Sequence, residues 1–143
     1  MMSPELRPLS VFAAQDLGTT PNAGDYIQSI SGQIGPKNRQ SLADYLRSGQ
    51  MVLSWMEQTI DVIAGRFSVP GGSAILSDGT FFWRLDAADY VETYGVQLPE
   101  EFIRHVKNDL AKPQDELHWL FTELDNFFGS GRGSFAQLLD SNS

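Results

Sequence analysis

The stretch Ser73–Leu85, SAILSDGTFFWRL, sets Asp78–Gly79 between two runs rich in apolar and aromatic residues. An Asp-Gly pair accepts the positive φ angles of a type I′ turn, so the segment reads as a β-hairpin. A two-residue turn places Leu76 opposite Phe81 and Ile75 opposite Phe82. Strand alternation then gathers Ala74, Leu76, Phe81, Trp83 and Leu85 on one face, which belongs to the core.

Towards the C-terminus, Asp86 is placed to cap a two-turn helix that carries Asp89 in its first turn, Tyr90, Val91 and Tyr94 on one stripe, and Gly95 at its end. Pro99 opens a second helix, with Glu100 and Glu101 at the positive end of its dipole and Phe102, Val106 and Leu110 inward. Pro113 opens a third, in which Leu117, Leu120, Phe121, Leu124, Phe127 and Phe128 recur at helical spacing. The run Gly129–Ser134 breaks it and links to a short apolar tail, Phe135–Leu139.

Towards the N-terminus, Met51–Trp55 and Thr59–Ile63 read as two strands. One helix over 54–64 stays open as the alternative, because Met56, Ile60, Ile63 and Phe67 also recur at helical spacing. Ser41 as cap, Asp44 three residues on and Gly49 beyond the end predict a short helix over Arg39–Arg47. Residues 1–37 read as an irregular arm with one short strand around Asp25–Ser31. The expectation is therefore a single α+β domain over 1–143, with a small antiparallel sheet and a DG hairpin packed against about four helices on one side. The N-terminal arm (1–37) and the Gly-rich link with its tail (129–143) flank it. Trp83, Tyr90, Phe102 and Leu120 fall on apolar stripes and read as core.

Composition narrows the functional classes. The 143 residues are 41% hydrophobic, enough for one core, and contain no cysteine, which removes disulfides, thiolate metal sites and cysteine nucleophiles. The apolar run Leu9–Ala14 is too short for a signal-peptide core or a membrane span, so a cytoplasmic protein is expected. Net charge is −8, which disfavours nucleic acid and anionic membranes as partners. Asp78–Asp125 alone holds eleven acidic and four basic residues, a difference of −7. Such a surface serves solubility or meets a basic partner.

No catalytic motif stands out. The two histidines, His105 and His118, lie on different predicted helices; Glu101 is one turn before His105, a carboxylate–imidazole spacing that is common on helix surfaces. The pairs Asp86/Asp89 and Asp115/Glu116 sit in first turns, where the backbone dipole stabilises negative charge without any metal. Pro70–Ser73 resembles a phosphate loop only in composition, since a strand follows it. No enzyme activity and no cofactor are expected. On the third helix Trp119 projects opposite the apolar stripe, beside Asp115, Thr122, Glu123 and Asn126, and Glu116 joins Asp115 and Glu123 as the carboxylates of that candidate contact face. It is either a partner-binding anchor or a residue covered by the C-terminal tail or the N-terminal arm.

The pieces Ala43–Ser54, Asp78–Gly79, Phe82–Trp83, Asp86, Tyr90–Val91, Tyr94 and Leu98–Phe102 together resemble a pattern in uncharacterised bacterial proteins associated with polymorphic-toxin immunity, over roughly Ser41 to Val106. That resemblance implies a stoichiometric inhibitor that occludes the active site of a cognate toxin, with acidic groups facing a basic enzyme. The alternatives are an accessory or regulatory protein-binding module unrelated to toxins, and a small hydrolase using Glu101 and His105.

Overall fold

The computed structural model describes residues 6–108 and 120–141, and for Leu120 and Ser141 the backbone alone. The hairpin forms as β5 (Ile75–Ser77) and β6 (Phe81–Arg84), in the register Ile75↔Arg84, Leu76↔Trp83, Ser77↔Phe82. The turn therefore centres on Gly79–Thr80, one residue later than an Asp78–Gly79 turn would place it. The cause is the Asp78 carboxylate. Its Oδ1 accepts the N–H groups of Thr80 and Phe81, both at 2.9 Å, while Gly79 takes up φ +94°. Because each strand alternates with period two, this slip leaves Leu76 and Trp83 on the expected face.

The hairpin is the centre of a four-stranded sheet ordered β1-β6-β5-β2. β2 (Gln50–Leu53) runs antiparallel to β5, and β1 (Arg7–Pro8) runs parallel to β6, so the sheet is mixed rather than purely antiparallel. A second sheet pairs β3 (Gln58–Ile60) with β4 (Ser68–Pro70). Strands, not a helix, thus occupy both apolar runs around residues 54–64.

Helices cover both faces of the larger sheet, not one. On one side, Trp83 donates its indole N–H to the Leu46 carbonyl at 3.0 Å and packs on Tyr45 and Phe102, from α2 (Pro36–Arg47) and α4 (Glu100–Lys107). Gly49 makes that approach available, since a Cβ there would lie 2.7 Å from the Trp83 ring. On the other side, Phe82 meets Phe127 and Phe128 of α5 (Leu120–Gly129), with ring centroids 5.0 and 5.8 Å apart. α3 (Ala87–Tyr94) lies against α2 and ends at Gly95 as expected. The consequence is that every residue of β5 and β6 is buried.

Three local expectations are corrected. The strand around Asp25–Ser31 is instead α1 (Ala23–Ser29), whose Ala23 and Ile27 form an i, i+4 pair fully inside. α2 starts at Pro36 and not at Arg39, because proline at the first helical position needs no N–H partner there; Ser41 is inside the helix and caps nothing. The N-terminal arm is core: β1 feeds a 3₁₀ turn, Ser10–Ala13, and Leu9, Val11, Phe12, Ala13, Ala14 and Leu17 are all buried. The tail is α6 (Phe135–Ser141), with Phe135 and Leu138 buried. Six α-helices are present among the described residues, against the four or so expected. The extra two are α1 and α6.

Trp83, Tyr90 and Phe102 are each at most 1% exposed, while the Leu120 side chain lies outside the described residues. Replacing Trp83 or Phe102 with alanine empties a volume that both layers define, at about 3–5 kcal/mol. Urea denaturation should show that loss for either variant, with an unchanged slope if the native state stays compact.

Candidate functional site

The Glu101–His105 pair that the hydrolase alternative requires does not form. His105 is turned inward on α4, with its Nε2 2.8 Å from Asp78 Oδ2, and Glu101 on the outer face pairs with Arg7. Tyr45 donates its hydroxyl to the same Asp78 oxygen at 2.6 Å. Asp78 and His105 are both buried, and the His105 ring packs on Phe81 and Phe102. One carboxylate thus accepts four hydrogen bonds, two from its own turn, one from α2 and one from α4. The hydroxyl in contact with this imidazole–carboxylate pair is itself committed to the carboxylate, so the cluster fastens helices to a turn and presents no activated nucleophile.

A second buried cluster surrounds Arg84. Its Nε and Nη2 meet the two carboxylate oxygens of Asp86 at 3.0 and 2.8 Å, its Nη1 donates to the Ala14 carbonyl, and Thr59 donates to Asp86. Arg84 and Asp86 are each 2% exposed. Burial pushes the Asp86 carboxyl above its ordinary range, and the Arg84 charge beside it opposes that shift. Asp86 sits before α3 as predicted, yet its side chain caps nothing because Arg84 and Thr59 occupy it.

The other carboxylates of α3 are also engaged. Asp89 and Glu92 both bind Arg47 of α2, at 3.3 and 2.9 Å. The Arg47 partner lowers the Glu92 pKa, whereas partial burial raises that of Asp89. Asp61, between β3 and β4, accepts the N–H groups of Ile63 and Arg66 and the hydroxyl of Tyr94. Pro70 ends β4 and residues 71–73 form the turn towards β5, so the segment is not an anion cradle at a helix start.

Of the residues singled out on the third predicted helix, Trp119, Asp115 and Glu116 lie outside the described residues. Glu123 is half-buried and Asn126 exposed, both on α5. The surface that sequence reasoning passed over lies elsewhere. Four of the five exposed large apolar side chains among the described residues fall within ten positions: Met51, Trp55, Met56 and Ile60; the fifth is Phe121. Trp55 is 41% exposed and Ile60 62%. The signal was in the sequence as an apolar run longer than the four-residue strand it feeds, so that Trp55 and Met56 overrun β2 into the connection. A cavity of about 270 Å³ is lined by Gln15, Thr19, Glu57, Gln58, Thr59 and Arg84, among others.

Among the described residues, no cluster of three or more His, Asp or Glu side chains has a metal-holding arrangement. No helix there is long and apolar enough to cross a membrane. No family model, curated protein or solved structure matches the chain.

The Asp61–Tyr94 bond generates a pH prediction. Desolvation raises the Asp61 pKa, but the Tyr94 hydroxyl and the backbone N–H groups outweigh it, and the net direction is downward from 3.8. Burial and the Asp61 carboxylate push the Tyr94 phenol up to about 12. The carboxylate's contribution to stability is complete above the unfolded pKa and is lost as pH falls through the lower folded value. The phenol's is complete below 10.0 and is lost as pH rises through about 12. Stability of the wild type relative to Tyr94→Phe should therefore be greatest between roughly pH 5 and 10 and shrink at both extremes. Denaturation midpoints of both proteins across pH 2–12 measure this; parallel curves would rule it out.

Proposed function

We propose that this chain is a non-catalytic binding protein of the immunity type, which captures a basic bacterial toxin and blocks its active site by stoichiometric occlusion. The observation that carries the reading is the exposure of Trp55 and Met56 within the Met51–Ile60 stretch. Large apolar side chains concentrated in one surface segment mark contact surfaces, and tryptophan and methionine are enriched at their centres. That stretch lies inside the region that resembles immunity proteins. The net charge of −8 adds the long-range attraction that a basic enzyme would feel. The acidic residues Asp115, Glu116 and Glu123, with Trp119 and Asn126, form the second candidate contact face.

The catalytic alternative loses support from the inward turn of His105, which leaves Glu101 without an imidazole to activate. Cytoplasmic residence follows from the same proposal, because an immunity protein protects the cell that makes it.

The test co-expresses the chain with the products of neighbouring genes, scoring first which of them is toxic alone and then whether growth is rescued, and measures binding of the purified pair. Rescue of growth with one-to-one binding is the expected result; binding without rescue would favour a regulatory module. Trp55→Ala should weaken affinity by about 2 kcal/mol or more, roughly thirtyfold, chiefly through faster dissociation. Trp119→Ala serves as the comparison: if it alone abolishes binding, the contact face is on the acidic helix and not on Met51–Ile60.

A further inference from the structure

The cavity lined in part by residues 57–60 combines several side-chain hydrogen-bond acceptors with one carboxylate. Much of the donor capacity of its lining side chains is engaged within the protein. Gln15 donates to the Ser73 carbonyl at 3.2 Å, Gln58 to Ser68 Oγ at 2.9 Å, Thr19 to the Asp16 carbonyl at 3.3 Å and Thr59 to Asp86 at 2.8 Å. Arg84 is neutralised by the two-pronged Asp86 contact and gives its remaining terminal nitrogen to Ala14. Gln15 and Gln58 each keep one further amide N–H and Arg84 keeps two, and beside these stand the acceptors. Among the described residues, the side-chain oxygens of Gln15 and Gln58 and the Glu57 carboxylate accept no hydrogen bond, and the Thr19 and Thr59 hydroxyls retain lone pairs.

Charge points the same way. With Arg84 and Asp86 cancelling, Glu57 is the one uncompensated charge on the lining, inside a protein whose net charge is already negative. A group that satisfies several acceptors and one carboxylate at once is a cation with multiple N–H donors. A carboxylate or phosphate would face Glu57 and find the Arg84 charge already paired with Asp86. The volume of about 270 Å³ is ample for the tip of a long side chain.

We propose that this cavity receives the guanidinium or ammonium head of an arginine or lysine side chain presented by the bound partner, next to the Trp55–Met56 contact. This rests on the protein-capture reading above and adds the chemistry of the residue that would be inserted. Ile60, which lines the cavity and is also among the exposed apolar residues, joins the two features.

The experiment titrates the isolated protein with N-acetyl-arginine methylamide, N-acetyl-lysine methylamide, N-acetyl-norleucine methylamide and N-acetyl-glutamate, and follows the side-chain amide signals of Gln15 and Gln58 by NMR. Saturable shifts with the two cationic probes and none with the other two are expected. Glu57→Gln should weaken the cationic probes roughly three- to fivefold, as for other partly exposed ion pairs, and Glu57→Lys should abolish the shifts. Equal or stronger binding of N-acetyl-glutamate, indifference to Glu57→Lys, or no shifts with any probe would overturn the assignment. The two readings separate cleanly. If Trp55→Ala releases the partner while the probes leave the cavity unmoved, the capture surface stands and the cavity assignment falls. If the probes bind but no toxin is neutralised, the cation chemistry stands, and a basic side chain of a toxin is excluded as its source.

Discussion

A strand covered on both faces has no solvent side on which to place a charge, yet β6 carries Arg84 in that position. An unpaired guanidinium there would be prohibitive, and the fold is arranged so that it is never unpaired. Asp86 lies two residues on, close enough to meet both guanidinium prongs, and the chain turns between them from strand to helix. Ala14 supplies a carbonyl from the N-terminal segment and Thr59 a hydroxyl from the second sheet. Four separate parts of the chain therefore converge on one ion pair. Removing either partner would leave the other charge buried, so the pair fixes how these parts are joined more than it adds net stability.

Asp78 plays a comparable anchoring role at the opposite end of the hairpin. Its carboxylate shapes the turn and holds Tyr45 and His105, tying α2 and α4 to the strands they cover. The Trp83 ring then closes the space between those helices. Polar anchors set the positions of the helices, and aromatic packing supplies most of the burial.

The local parts of this plan were legible and the non-local parts were not. The hairpin, α3, α4 and the strand character of the two runs near residue 54 follow from turn residues, caps and periodicity, all of which act within a few positions. The faces of β5 and β6 survived an error in the turn because a shift of two residues conserves side-chain direction. Burial of the second face was hidden, since Ser77 and Arg84 read as polar positions and only contacts far along the chain show what covers them. The N-terminal arm was opaque for the same reason: two residues of β1 have no periodicity, and their pairing with β6 is decided by tertiary contact. At the candidate surface, Trp55 was read as the end of a strand and Met56 only as part of a possible helical stripe, because apolar character alone does not distinguish a buried strand end from an exposed contact loop. The donor and acceptor balance of the cavity could not be read at all, because it depends on which bonds its side chains make elsewhere.

The docking of α6 on the Ser10–Ala13 turn has a consequence for how the chain assembles. Phe135 donates its backbone N–H to Asp16 at 2.7 Å, and its ring meets Tyr26 edge-on at 6.0 Å. These contacts close a loop of more than a hundred residues, and β1 needs β6 before it can pair at all. Closure of so long a loop is entropically unfavourable until the sheet between its ends has formed. During synthesis, the N-terminal segment must wait as an apolar chain with nothing to cover it until most of the sequence has left the ribosome. Folding is thus committed late and by topology, with the hairpin as the local element able to form early and the two ends of the sequence as the last to meet.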